Sequence, residues 1–247
     1  MKWLVISLVF SLTVLVSCGG IKNKNEEKPK ATKAAHIKVK DLEEPCEYAD
    51  ALLIVYQEAS GKVDIMVDRV RKMKALLEKL NTIMDHGDKS LVDKSGFKKC
   101  AAYSEFKKLS SEIERMGDIK YAIKNHEDDF GDYIKDEYGI TKDEYKGDKT
   151  EKALKSTNDN LVEPCDYVDA MVPIFEALSI EMKSVIYILG ELKLLDNLEV
   201  KISESIDDSN VKKPEVENCE SFKKGKKLQD EMEDKLEEFE VMFESAF

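Results

Sequence analysis

The sequence predicts an all-α fold in which tandem-duplicated long helical hairpins form an elongated four-helix-type bundle. Two observations indicate this fold. Apolar residues recur at alternating steps of three and four over long stretches, which places them on one face of a helix. One eight-residue motif also occurs twice at a large separation, which is typical of an internal duplication.

Composition limits the class of protein. The 247 residues include 51 acidic and 39 basic side chains, a formal charge of −12, and 42% of the residues are hydrophobic. This apolar content is too high for a wholly disordered chain, and the length permits one large domain or two small ones. The acidic balance argues against a general nucleic-acid binder, which needs a clustered basic face.

The first segment, residues 1–17, has the pattern of an export signal. Lys2 precedes fourteen uncharged residues, Trp3 to Val16. Such a run is shorter than the about 20 residues of a membrane-spanning helix but fits the apolar core of a signal peptide. It ends in the tetrapeptide Leu15-Val16-Ser17-Cys18.

This tetrapeptide resembles the lipobox of bacterial lipoproteins, in which an aliphatic residue and two small or aliphatic residues precede a cysteine. The resemblance implies cleavage before Cys18, lipidation of its thiol and acylation of the new amino group, and several acyl chains give stable anchoring. It also implies an exported protein anchored in the bacterial envelope. Gly19, in place of Asp, implies the outer membrane, on its periplasmic or surface face. The alternative is an ordinary secreted protein with a chance cysteine.

Residues 18–43 are predicted to be a flexible lipidated tether. They contain seven lysines and four acidic residues and show no apolar period. A segment of this composition favours a solvated spacer over a packed element.

The body of the chain is predicted to be a tandem duplication. The motif Glu44–Ala51 recurs as Glu163–Ala170, an offset of 119 residues. The same offset relates the four remaining cysteines in two pairs, Cys46 to Cys165 and Cys100 to Cys219. The two copies are assigned to residues 44–127 and 161–247, and a polar linker of residues 128–160 separates them.

In the first copy, the apolar stripe predicts one long helix that begins at Pro45 and ends near His86–Asp88. The heptad phase passes through Ser60-Gly61 unchanged, so no break is expected there. A second helix is predicted from Phe97 to Ile123. The stripe of the long helix consists of Ala49, Leu52, Tyr56, Ala59, Val63, Met66, Val70, Met73, Leu77, Leu80 and Met84.

In the second copy, a stripe from Val168 to Leu192 predicts the corresponding long helix, and a last helix is predicted from Val216 to Ser245. The run Val185–Leu189 is apolar on all sides, so this long helix is expected to be the most buried. A strand is the competing interpretation of five such residues, but the helical period on both flanks argues against it.

The linker contains a short repeat of its own, since Lys135–Tyr138 recurs as Lys142–Tyr145. A short helix here would present tyrosines as a contact surface, whereas a solvated linker is the favoured interpretation. The candidate contact residues are Tyr133, Tyr138 and Tyr145.

Four matched cysteines in an exported chain predict two disulfides. The alternative is that the cysteines bind zinc. The sequence does not support a zinc site, because it has no C-x₂-C spacing and no histidine near a cysteine. Pairing across the copies, Cys46–Cys165 and Cys100–Cys219, is slightly favoured over Cys46–Cys100 and Cys165–Cys219. An unbroken first helix would hold Cys46 and Cys100 about 50 Å apart, whereas a disulfide needs Cα atoms within about 7 Å. Pairing within a copy stays open because each ancestral unit would carry its own crosslink.

The sequence predicts no catalytic residue, no metal site and no cofactor. Its three histidines lie apart from one another, and it contains no protease, haem, hydrolase or phosphate-loop motif. One dense basic cluster has two interpretations: a contact for anionic lipid or glycan, or, preferably, compensation for the acidic residues from Asp230 to Glu244. The cluster consists of Lys223, Lys224, Lys226 and Lys227.

Together these observations predict a lipid-anchored cell-envelope module that binds a partner and performs no catalysis. The expected partners are the membrane, through the lipid anchor, and an envelope protein or glycan, with no nucleic acid. The contact surface is assigned to the groove between the copies or to the linker. A purely structural envelope spacer and a small-ligand binder within the bundle are the alternatives.

Overall fold

The computed structural model describes residues 33–90, 92–117, 149–156 and 161–246, and none of these residues lies in a β-strand. The expectation of an all-α fold is confirmed for this part of the chain. Its α-helices are α1 (Pro45–Lys89), α2 (Tyr103–Gly117), α3 (Lys149–Lys155), α4 (Pro164–Asp208), α5 (Lys213–Glu217) and α6 (Glu220–Ala246). Short 3-10 helices span Ala34–His36, Val39–Asp41 and Lys94–Lys99.

The two long helices, α1 and α4, have 45 residues each and start with the same local structure. Each begins with a proline, whose missing N–H has no helical partner in the first turn. Glu47 accepts hydrogen bonds from the two amides before Pro45, at 2.9 and 3.1 Å, and Asp166 does the same before Pro164, at 3.1 and 2.8 Å. These bonds stabilise the first turn and hold the pKa of Asp166 below its ordinary value.

Helix α1 continues through Gly61 as predicted, but the predicted stripe is wrong near its end. Ile83 is 1% exposed, whereas the predicted core residue Met84 is 46% exposed. Leu76 is likewise buried in place of the predicted Leu77, whereas the predicted Leu80 stays buried, so the shift affects one of the two rows of the stripe.

The shorter helices start later than predicted. Residues 94–99 form a 3-10 helix and α2 begins at Tyr103 rather than Phe97, and the predicted last helix is divided into α5 and α6. Both interruptions lie at cysteines, Cys100 and Cys219, that form disulfides. Regular α-helix resumes after each of these cysteines, at Tyr103 and at Glu220. The predicted extension of α2 to Ile123 lies outside the described residues.

The described residues divide into two compact units, and each unit contains part of both long helices. Unit 1 comprises the described residues up to Ile65 together with Glu191–Glu237. Within it α1 and α4 are antiparallel, since residue numbers on α4 fall as those on α1 rise. The contacts that show this are Tyr48–Ser205 at 3.3 Å, Tyr56–Glu199 at 2.8 Å and Lys62–Glu191 at 2.7 Å.

Unit 1 also includes the end of the predicted tether. Ala34 is 3% exposed, and its backbone N–H donates a hydrogen bond of 2.8 Å to Glu58 Oε1 on α1. Residues 34–36 and 39–41 form 3-10 helices. The segment predicted as a flexible tether therefore includes about ten residues, from Ala34 to Glu43, that belong to the folded unit.

Unit 2 comprises the described residues from Met66 to Gly190 and those from Glu238 onwards. Here too α1 and α4 are antiparallel, with contacts Arg69–Glu181 at 2.9 Å and His86–Tyr167 at 2.6 Å. Val185, Ile186 and Ile188 are all buried, as expected for the apolar run of α4.

Helix α3 lies in unit 2, although it falls within the predicted solvated linker. Thr150 and Ala153 are buried, and the ammonium group of Lys79 on α1 donates hydrogen bonds to the carbonyl oxygens of Ala153, Leu154 and Ser156, at 2.6, 3.0 and 2.6 Å. A cation at these carbonyls stabilises the carboxyl end of a helix, and partial burial lowers the pKa of Lys79. This part of the linker is therefore a packed helix.

Residues 119 positions apart make matching contacts in the two units. Tyr48 donates a hydrogen bond of 3.0 Å to the carbonyl of Leu42, and Tyr167 donates one of 3.1 Å to that of Leu161. The same correspondence relates Tyr48–Ser205 to Tyr167–His86, and Lys213–Asp207 at 2.8 Å to Lys94–Asp88 at 2.6 Å.

Candidate functional site

The cysteines form two disulfides, Cys46–Cys219 in unit 1 and Cys100–Cys165 in unit 2, with Cα separations of 5.5 and 5.2 Å. Each joins the first cysteine of one predicted copy to the second cysteine of the other. The favoured pairing, Cys46–Cys165 with Cys100–Cys219, is therefore wrong. The alternative of Cys46–Cys100 with Cys165–Cys219 is wrong as well.

The direction of the long helices explains this pairing. The favoured pairing requires α1 and α4 to be parallel, but they are antiparallel in both units, so in unit 1 the start of α1 lies beside the end of α4. Since α5 and α6 follow that end, Cys219 reaches Cys46. In unit 2 the start of α4 lies beside the end of α1, and Cys100 follows there and reaches Cys165.

The other predicted contact residues fall into two groups. Cys18, Tyr133, Tyr138 and Tyr145 lie outside the described residues. Lys223, Lys224, Lys226 and Lys227 lie near the start of α6, and all four side chains are exposed.

A cleft of about 110 Å³ opens between residues of both copies in unit 1. Its apolar wall includes Leu52 on α1, Ile206 on α4 and Val216 on α5, and its charged edge includes the ion pair of Lys213 with Asp207 at 2.8 Å. The lining residues are Leu52, Ser203, Ile206, Asp207, Lys213, Val216, Glu217 and Phe222. Apolar walls with a few charged groups are typical of a surface that receives an apolar side chain.

A titratable pair lies between α1 and α4 in unit 1. Tyr56, which is buried, donates a hydrogen bond of 2.8 Å to Glu199 Oε1. Burial raises the pKa of Glu199 to about 7; the hydrogen bond from Tyr56 opposes this, and the nearby Asp196 adds to it. Burial and the adjacent carboxyl group likewise raise the pKa of Tyr56.

The corresponding positions of unit 2 are apolar. Position 119 residues after Tyr56 is Phe175, whose ring meets Phe106 edge-on at 5.0 Å, and the position 119 before Glu199 is the buried Leu80. Phe106 corresponds to Gly225, which approaches Tyr56 closely in unit 1. Unit 1 therefore has polar groups and a glycine where unit 2 has apolar side chains.

Unit 2 contains a buried charge on the most apolar part of α4. Glu181 is 1% exposed and accepts hydrogen bonds from Arg69 Nη1, at 2.9 Å, and from the hydroxyl of Thr150. Arg69 Nε and the hydroxyl of Ser184 are buried and have no hydrogen-bond partner among the described residues. The cluster joins α1, α3 and α4 and places a carboxylate beside its counterion, which is an arrangement that fixes helices rather than one that activates a nucleophile.

Sequence reasoning did not single out Arg69, Glu181 or Glu199. The signal for Glu181 was available, because it is an isolated carboxylate within a helix segment that is otherwise apolar on several sides, and such a charge needs a partner. Glu199 gave no comparable signal, since the stretch around it contains several charged residues.

Within the described segments, no three His, Cys, Asp or Glu side chains are grouped so that they could hold a metal ion. No helix among the same residues is long and apolar enough to cross a membrane. No protein-family model, curated protein or solved structure matches this chain.

Proposed function

We propose that this chain is an exported bacterial lipoprotein, anchored through Cys18 in the outer membrane, that binds an envelope partner without catalysis. The lipobox resemblance of Leu15–Cys18 supports the anchor. The two disulfides support export, because such bonds form and persist in oxidising compartments. The buried carboxylates lie in contacts that pack helices, which favours a binding role over an enzymatic one.

The body of the chain is, in this proposal, a tandem duplication of one helical hairpin. Supporting this, α1 and α4 have equal length and equivalent ends, at Pro45 and Pro164 and at Lys89 and Asp208. The two disulfides give further support because they join equivalent positions. At the offset of 119 residues, Cys46 corresponds to Cys165 and Cys219 corresponds to Cys100.

The proposed contact surface is the cleft of unit 1, and this cleft is the observation on which the binding role rests. Its volume of about 110 Å³ is well below the roughly 300–1,000 Å³ of most small-molecule sites. It suits one apolar side chain of a protein partner, with the charged edge at Asp207, Lys213 and Glu217 contacting polar groups beside that side chain.

The cleft can be tested by crosslinking in the native cell. A photoreactive residue at Lys213 should give one defined adduct, whereas the same residue at Lys94, which makes the equivalent ion pair in unit 2, should not. Ser203→Phe, which fills the cleft, should abolish the adduct. Equal adducts at both positions, or none, would contradict the binding site and favour the alternative of a purely structural envelope spacer.

The anchor is tested separately. Cys18→Ala should abolish incorporation of labelled fatty acid and move the protein from the membrane fraction to the supernatant, because several acyl chains are needed for stable anchoring. Fatty-acid labelling that survives this substitution would refute the assignment of Cys18.

A further inference from the structure

The four exposed lysines at the start of α6 form a basic face with a fixed orientation. Around the helix they occupy an arc of about 160° that is centred opposite Gly225. Gly225 is buried against α1, and a Cβ added there would lie 2.8 Å from Cδ2 of Tyr56. The disulfide Cys46–Cys219 holds the residue before α6 to the start of α1. The basic face is thus held outward by a close helix contact and a crosslink.

This face is unfavourable for the isolated fold. Lys223 lies three and four residues before Lys226 and Lys227, and Lys224 lies three before Lys227, so three pairs of like charges are neighbours on the helix. Lys223 also lies in the first turn of α6, where the helix dipole disfavours cations. These like-charge pairs therefore do not stabilise α6.

The four lysines make few direct ion pairs with the acidic residues that follow them. Among the described residues, Lys227 alone of the four makes an ion pair, with Glu231 at 3.6 Å, and its side chain is 81% exposed. The acidic residues remain crowded: burial and the neighbouring Asp230 and Asp234 raise the pKa of Glu233. Lys235 pairs instead with Asp64 on α1.

The other predicted copy lacks half of the cluster. The positions 119 residues before Lys223 and Lys224 are Ser104 and Glu105, whereas Lys107 and Lys108 correspond to Lys226 and Lys227. The full basic face is therefore confined to unit 1, and Lys107 and Lys108 on α2, which are exposed, provide a matched control.

Unit 1 also contains the described residues that are nearest in sequence to the proposed anchor at Cys18. Ala34 is seated on α1 in unit 1, and the chain from Cys18 to Ala34 spans at most about 55 Å. Resting on the proposed anchor at Cys18, we propose that the basic face binds the anionic lipid headgroups of the membrane that holds the protein. The charge complementarity of this contact orients unit 1 on the bilayer.

The test measures lysine accessibility on the full lipidated protein in vesicles of neutral lipid and of neutral lipid with about one third phosphatidylglycerol. A water-soluble amine-acylating reagent and mass spectrometry give the acylation rate of each lysine. With anionic vesicles at about 0.05 M salt, the four lysines of the basic face should be acylated at least about five-fold more slowly than with neutral vesicles. Lys107 and Lys108 should not differ, and about 0.5 M salt should remove the protection.

Two variants sharpen the test. Lys223→Gln with Lys224→Gln should reduce protection of Lys226 and Lys227, whereas Lys107→Gln with Lys108→Gln should leave it unchanged. Vesicle flotation reports the anchor independently of the basic face. If the protein floats but each lysine is acylated at the same rate with anionic and with neutral vesicles, the basic-face proposal alone is overturned. Failure to float would overturn the anchor as well. Protection by a soluble sulfated polysaccharide but not by anionic vesicles would overturn the proposal in favour of a glycan partner.

Discussion

The pair of Tyr56 and Glu199 predicts that acid stabilises unit 1, the reverse of the effect of most carboxylates. Burial raises the pKa of Glu199 from 4.5 to about 7. Below pH 4.5 the group is protonated in the folded and the unfolded chain. Between pH 4.5 and 7 the unfolded chain ionises while the folded chain stays protonated, so the free energy of unfolding falls. Above pH 7 Glu199 is ionised in the folded and the unfolded chain, so the free energy of unfolding falls no further.

The size of this loss follows from the shift. One pKa unit corresponds to about 1.4 kcal/mol, so a rise from 4.5 to about 7 makes the folded state about 3 kcal/mol less stable at pH 8 than a chain without this ionisation. Glu199→Gln keeps an acceptor for the Tyr56 hydroxyl and cannot ionise. The variant should match the wild type near pH 4.5 and exceed its unfolding free energy by up to about 3 kcal/mol at pH 8.

Urea denaturation from pH 4.5 to 8 provides the measurement, and the difference between variant and wild type removes the titration of all other groups. Glu204→Gln, at an exposed position on α4, makes the same change in net charge and is the control. A constant offset between Glu199→Gln and wild type across this range would refute the raised pKa of Glu199. An equal rise for Glu204→Gln would show an effect of net charge alone.

Two further predictions concern packing, both measured by urea denaturation at constant pH. Arg69→Met leaves Glu181 buried without its counterion and should lower the free energy of unfolding by about 3–5 kcal/mol. Arg69→Met combined with Glu181→Met should recover most of that loss. A double variant as unstable as the single one would contradict the role of the charge pair. Gly225→Ala forces a Cβ against Tyr56 and should cost about 1–3 kcal/mol, offset in part by the better helix propensity of Ala. Gly61→Ala, where nothing lies within 4 Å of the added Cβ, should instead stabilise by about 1 kcal/mol, and equal effects at both glycines would refute the close approach of α6.

The long helices could be predicted because each signal for them is local. The proline at the first position, the apolar stripe and the 119-residue repeat all follow from neighbouring residues and give the bounds of α1 to within a few residues. The error at Met84 is a shift of one residue in one row of the stripe, since the predicted Leu80 is buried whereas Ile83 is buried in place of Met84.

The relative direction of α1 and α4 could not be predicted, and the disulfides depended on it. An apolar stripe identifies the face that a helix buries but is the same whether its neighbour runs parallel or antiparallel. A linker as long as residues 128–160 permits either direction at similar entropic cost. Pairs such as Arg69 with Glu181 contain the missing information, but a single sequence does not identify which charge meets which.

Because α1 and α4 are antiparallel in both units, the two units can be compared position by position. Each unit takes helices from both predicted copies, so under the proposed duplication the units began with the same contacts, and sequence changes since then are visible by comparison. Unit 2 has the apolar set of Phe106, Phe175 and Leu80, whereas unit 1 has Gly225, Tyr56 and Glu199 at those positions. Unit 1 also has Lys223 and Lys224 in place of a serine and a glutamate. Within unit 1 the Tyr56–Glu199 pair packs α1 against α4, so among these differences it is the exposed lysines that bear on the proposed binding role.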